Sequence, residues 1–121
     1  MIDIPKFFRS IQFAVKGIID LFRFENNAKI HLVAAVAVIG LGSWLRLSPM
    51  EWALIVTQVG LVMAAESFNT ALEKLADRVT TDHDPLIGAA KDLSSAAVLI
   101  VAIMAVAVGL FIFVPKLMVL L

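Results

Sequence analysis

Three apolar stretches, residues 30–45, 52–73 and 93–114, set apart by short polar segments, constrain this chain more than any other feature in it. A hydrocarbon layer is about 30 Å thick, and an α-helix is the open structure that satisfies its own backbone groups while crossing it. The first stretch is short and is interrupted only by His31 and Ser43; Ser48-Pro49 supplies a turn after it, and Trp44 and Trp52 bracket that turn as interface anchors. Pro115 and Lys116 are expected to close the third. The 121 residues are 61% hydrophobic with a mean hydropathy of +0.97, which marks an integral membrane protein rather than a soluble domain.

Ahead of the spans, residues 1–28 read as an amphipathic surface helix. Ile4, Phe7, Phe8, Ile11, Val15, Ile18, Ile19 and Phe22 recur at spacings of three and four, with Lys6, Arg9, Lys16, Asp20 and Arg23 on the opposite side. Phe13 breaks the pattern by falling on the polar side. The expected fold is an all-α membrane protein in one domain, 1–121: three transmembrane helices plus an N-terminal surface helix.

Ten acidic residues balance ten basic ones and no basic patch interleaved with aromatics occurs, so nothing points to nucleic acid. Absence of cysteine removes disulfides, thiolate metal sites and cysteine nucleophiles together. Lys6, Arg9, Lys16, Arg23, Lys29, Lys74, Arg78 and Lys91 fall on one side of the expected topology, against Arg46 and Lys116 on the other, which puts the N-terminus in the cytoplasm. Small residues, among them Ala34, Ala35, Gly40, Ala102, Ala105 and Gly109, suit close helix packing, and three spans alone enclose no dry cavity. A closed homo-oligomer is expected.

Within the second span, Glu66, Asn69, Glu73 and Asp77 lie on one helical stripe about 80° wide. An ionisable side chain inside a membrane helix costs on the order of 3 kcal/mol, so a functional role is the default reading. Desolvation raises the proton affinity of a carboxylate, which makes Glu66 a candidate general base toward a lipid hydroxyl. Glu73 and Asp77 offer hard oxygens of the kind Mg²⁺ takes, Asn69 can orient a substrate, and Glu25 lies at the same expected depth just before the first span. Lys91-Asp92 opens the third span on that side, where an ammonium can neutralise phosphate oxygens. Together these parts fit phosphoryl transfer, although no Walker or kinase glycine loop occurs.

Blander roles stand beside these. Asp92 and Glu25 favour the amino-terminal dipoles of their helices, Lys91 anchors topology, and Phe13 packs under a neighbour or stacks on a base. His31 reads as a packed or interfacial histidine rather than a ligand, and His83 as a solvated loop residue. Two other functions compete: a small proton-coupled transporter using Glu66 alone, and a non-catalytic accessory subunit.

Glu66-Ser67-Phe68-Asn69-Thr70-Ala71-Leu72-Glu73 with Asp77, followed by Ala90-Lys91-Asp92-Leu93-Ser94-Ser95-Ala96-Ala97-Val98-Leu99, resembles the paired ExxNTAxE…D and AKDxxxxAVL signature of the small prokaryotic diacylglycerol kinase and undecaprenol kinase family. The Glu25-Asn26-Asn27…His31 segment is more similar to the undecaprenol kinases. The resemblance implies a homotrimer in the bacterial inner or plasma membrane, with active sites shared between subunits, using ATP and Mg²⁺ to phosphorylate undecaprenol or diacylglycerol. It implies Glu66 as base, Asn69 as a supporting catalytic residue, and Glu25 and Glu73 as metal carboxylates. Asp77, Lys91 and Asp92 would contact nucleotide, and Asp82, His83 and Asp84 would approach the adenine. Ser95 would lie against the lipid substrate. Lys6 stands where the family often has an arginine near nucleotide and lipid, and keeps the charge without the bidentate fork; Phe13 stands where a tyrosine contacts the base, and retains the ring.

Overall fold

The computed structural model describes all residues, 1–121, as four helices and no strand: α1, Ile4–Phe24; α2, Asn26–Leu45; α3, Pro49–Val79; α4, Pro85–Leu120. The last three are each long and apolar enough to cross a membrane. The Asp3 side chain starts α1 by accepting the Lys6 backbone N–H at 2.9 Å, with Pro5 in the first turn. Leu21 is the one buried residue of α1, whereas Phe7, Phe8, Ile18 and Ile19 are all exposed. An uncovered apolar face of that length is what an interfacial helix presents to lipid.

The surface helix is shorter than the expected 1–28, and the first span begins at Asn26 rather than Ile30. Glu25 alone separates α1 from α2, with an extended backbone at φ −96° and ψ 118°. Its N–H still donates to the Leu21 carbonyl at 3.1 Å, and its own carbonyl accepts the Lys29 N–H at 3.2 Å. A single extended residue therefore redirects the chain while both helix ends keep their backbone partners.

At the other end α2 stops abruptly. Arg46 takes a left-handed conformation, φ 55°, while Leu47 N–H donates to Gly42 O at 3.2 Å and Arg46 N–H to Ser43 O at 3.4 Å, the paired bonds of a Schellman turn. Ser48 and Glu51 then cap α3 reciprocally: the hydroxyl accepts Glu51 N–H at 3.2 Å and the carboxylate accepts Ser48 N–H at 2.9 Å. A Cβ at Gly42 would stand 2.8 Å from Leu47 Cδ1 and 3.0 Å from Trp52 Cη2. Leu47 is itself buried against Ile55, Ile112 and Phe113, so it has little room to yield. Gly42→Val should cost about 1–3 kcal/mol of overpacking, read as a lower melting temperature in detergent; Gly40→Ala, with no atom within 4 Å of the added carbon, is the control.

Helices α3 and α4 form the principal packed pair, antiparallel around the five-residue connection 80–84. With 31 residues, α3 is roughly 46 Å long and outruns the hydrocarbon, so Glu73 stands at the end of the apolar window 52–73 and the last turns carry Asp77 beyond it. Contrary to expectation, α4 does not close at Pro115 but continues to Leu120. A proline costs one backbone bond and a clash with the preceding turn, and here only a turn and a half remains beyond it. Lys116 holds that turn by pairing with Glu51 of α3 at 3.1 Å. Only 12 of the 121 residues are buried, so most apolar side chains face outward.

Candidate active site

Ile55, Val62, Glu66, Asn69 and Ala76 are the buried residues of α3, spaced by seven, four, three and seven. That is the seam of a packed helix, and two of its five positions are polar. Glu66 is 2% exposed and Asn69 is 8% exposed, so the acidic stripe faces inward where it is deepest.

Each stripe residue meets a partner from another helix or the next turn. His31 Nε2 of α2 lies 3.1 Å from Glu66 Oε1, off the line that a hydrogen bond requires, so Oε1 is buried without a donor. One turn on, Asn69 Oδ1 accepts the Ser94 hydroxyl of α4 at 2.8 Å, and its Nδ2 donates toward Glu73 Oε1 at 3.5 Å. Ser94 thereby fixes the amide so that its donor side faces the carboxylate. Nearer the end of α3, Lys91 Nζ of α4 donates to Asp77 Oδ1, with both side chains partly in contact with solvent. Four polar contacts, two of them between α3 and α4, thus line one edge of the bundle.

The remaining expected site residues do not join this edge within one chain. Glu25 lies in a cleft of about 380 Å³ between α1 and α3, with Asp20, Ser67, Thr70 and Lys74, and Glu73 is not among its walls. Asp20 there is held below the usual carboxylate range, first by a 2.9 Å hydrogen bond from Lys16 and then by the charges of Lys16, Lys74 and Arg23. Lys6 and Phe13 on α1 are exposed, Phe13 by 74%. Asp84 is occupied in capping α4, accepting Leu86 and Ile87 N–H at 3.0 and 3.1 Å. Asp82, His83 and Asp92 are exposed. Ser95 is exposed too, and it is Ser94 that enters the network. Ser94 and Ser95 lie three and four residues from Lys91, so helical spacing alone favours neither. His31, read as a packed or interfacial histidine, lies against the buried carboxylate.

No three of the chain's His, Asp and Glu side chains gather closely enough to hold a metal ion. A divalent cation wants six or more oxygens, several of them charged, and one chain does not assemble that donor set around Glu25 and Glu73.

Beyond His31 runs an apolar groove of about 330 Å³, walled by Ala34 and Val38 of α2, Val59 and Val62 of α3, and Ala105 and Gly109 of α4. Gln58 is the polar exception along it, with a buried Oε1 that has no partner.

Comparison with known proteins gives the family. Residues 12–113 match the family described as prokaryotic diacylglycerol kinase. The undecaprenol kinase of Bacillus subtilis is 39% identical over 115 residues, covering 95% of this chain and 94% of that protein. A diacylglycerol kinase of Synechocystis is 36% identical over 115 residues, 94% of this chain and 66% of that protein. The diacylglycerol kinase of Escherichia coli K12 is 39% identical over 74 residues, 61% of each. The chain, with its three apolar helices and its inward acidic stripe, belongs to the prokaryotic diacylglycerol kinase family of membrane lipid kinases.

Proposed function

We propose that the protein transfers the γ-phosphoryl group of ATP to the single hydroxyl of a membrane lipid at the cytoplasmic interface, with undecaprenol as the preferred acceptor. The observation that carries the proposal is Glu66: a carboxylate 2% exposed, with one oxygen lacking a donor, lying against His31, which lines the apolar groove. A hydroxyl presented from the groove would supply the missing donor, and Glu66 would take its proton as the oxygen attacks phosphorus. Asn69, fixed by Ser94, orients the neighbouring carboxylate, and Lys91 offers a cation at the solvent end.

A Mg²⁺ ion accompanying ATP would draw its protein oxygens from Glu25 and Glu73 of neighbouring subunits, since one chain keeps them apart. The trimer that the family resemblance implies would supply that juxtaposition, and the N-terminus is placed in the cytoplasm by the count of basic residues. The lean to undecaprenol rests on the near full-length match to the Bacillus subtilis enzyme and on the ExN…H segment at Glu25–His31. A transporter reading uses Glu66 alone and leaves the cross-helix partners of Asn69 and Asp77 without a purpose.

The test offers purified protein in vesicles labelled ATP with equal amounts of undecaprenol and diacylglycerol, and separates the lipid products. Label in undecaprenyl phosphate above that in phosphatidate is the expected result. Turnover of diacylglycerol with none of undecaprenol would reverse the acceptor, and no label in either lipid would overturn the kinase itself.

A further inference from the structure

We propose that α1 docks on anionic phospholipid headgroups through a stripe of Arg9, Lys16 and Arg23, on the edge of the helix turned away from the bundle. The partner is a bilayer surface that carries negative charge.

Helix α1 presents three faces. Ala14, Gly17 and Leu21 turn toward α3, where they line the cleft between the two helices. Ile4, Phe8, Ile11, Val15 and Ile19 form a second face, each of them more than 40% exposed. The third face is basic. At about 100° per residue, the spacing of seven places Arg9, Lys16 and Arg23 within roughly 40° of one another, about a third of a turn from each of the other faces. All three are exposed, and Phe8 and Ile19 border them on the apolar side.

The stripe keeps most of its charge. Asp20, the one acidic residue within α1, pairs with Lys16 at 2.9 Å. Neither arginine has a carboxylate partner, since the other ion pairs join His31 to Glu66, Lys91 to Asp77 and Lys116 to Glu51. Arg23 lies instead over the Phe24 ring, 5.2 Å from its centroid.

Leu21 alone of the 21 residues of α1 is buried, so its own bundle holds the helix at one end only. A bilayer can hold the rest. The apolar face of an interfacial helix sinks about 5–10 Å into the boundary between headgroups and acyl chains. Cations bordering that face then stand level with the lipid phosphates, with their stems laid along apolar surface. Near an anionic leaflet each such cation is worth roughly a five-fold gain in affinity. Glu25 alone joins α1 to α2, so the headgroups that hold α1 also fix how the chain enters the first span.

The test is hydrogen–deuterium exchange of the full chain in two kinds of vesicle, one of phosphatidylcholine alone and one of equal parts phosphatidylcholine and phosphatidylglycerol. In the anionic vesicles exchange across α1 should slow by roughly five-fold for each unpaired arginine, while the amides of α3 keep their rates. Arg9→Gln with Arg23→Gln should abolish most of the difference between vesicles, and Arg9→Lys with Arg23→Lys should retain it. Both variants meet the same surface potential as the wild type, so the comparison isolates the two side-chain charges. Equal α1 rates for the wild type in the two vesicles would overturn the proposal, because a neighbouring copy covering the stripe would protect it whatever the lipid charge. A glutamine variant slowed as much as the wild type would overturn it as well. Should the variants fail to insert, the wild type in about 1 M salt, where the screening length is about 3 Å, decides: loss of the slowing in anionic vesicles is expected, and slowing that persists overturns the docking.

Discussion

Glu66→Gln should lower kcat by about 10²- to 10⁴-fold, the usual contribution of a positioned general base, with little change in the KM for ATP. Gln matches Glu in shape and cannot accept the proton. Gln also keeps the size and polarity of the 2% exposed side chain, so the folded protein should melt close to the wild type. The combination is diagnostic. A polar residue that merely ties helices together would lose stability on substitution and keep its rate, whereas a base loses its rate and keeps its stability. Labelled phosphate transfer into undecaprenol, measured beside thermal melting in the same detergent, separates the two. A Glu66→Gln rate within a few fold of wild type would remove Glu66 from the chemistry.

Subunits carrying Glu25→Gln and subunits carrying Glu73→Gln, each inactive alone, should regain activity when mixed. In one chain Glu25 lines the cleft between α1 and α3, while Glu73 is held by Asn69 on the edge shared with α4. If each site takes Glu25 from one subunit and Glu73 from its neighbour, a mixed ring contains some sites in which both are intact. In a head-to-tail ring assembled at random from equal parts, roughly one site in four is whole, and activity should recover to about that fraction. Two affinity tags on the two variants establish that subunits have exchanged. Full exchange without recovered activity would place both carboxylates in the same subunit's site, or remove one of them from it.

Much of this arrangement was legible in the sequence because its periodicities are strong. The stripe from Glu66 to Asp77 follows from helical spacing alone, and the structure turns its deepest members inward. The three spans follow from hydropathy, though the helices extend past the apolar windows, because backbone hydrogen bonding continues where side chains become polar. Pro115 misleads for a related reason: a proline near a helix end forfeits little, and Lys116 secures the final turn. Ser94 and Ser95 are adjacent in an AKDxxxx block, three and four residues from Lys91, so the pattern favours neither; the packing of α4 on Asn69 of α3 decides between them. His31 carries no local sign of its partner, which is 35 positions away on a different helix. The separation of Glu25 from Glu73 is the least readable of all, since motif spacing says nothing about which copy of a chain completes a site.

The three-residue connection between α2 and α3 bears on how the protein is made. Arg46 closes the Schellman turn, Ser48 and Glu51 cap each other, and Lys116 reaches Glu51 from α4. In the proposed orientation this connection crosses the bilayer with its polar groups already paired. Helices α2 and α3 can enter the bilayer as one hairpin, its tip already hydrogen-bonded to itself, while every residue of the acidic edge stays on the side where the ribosome stands.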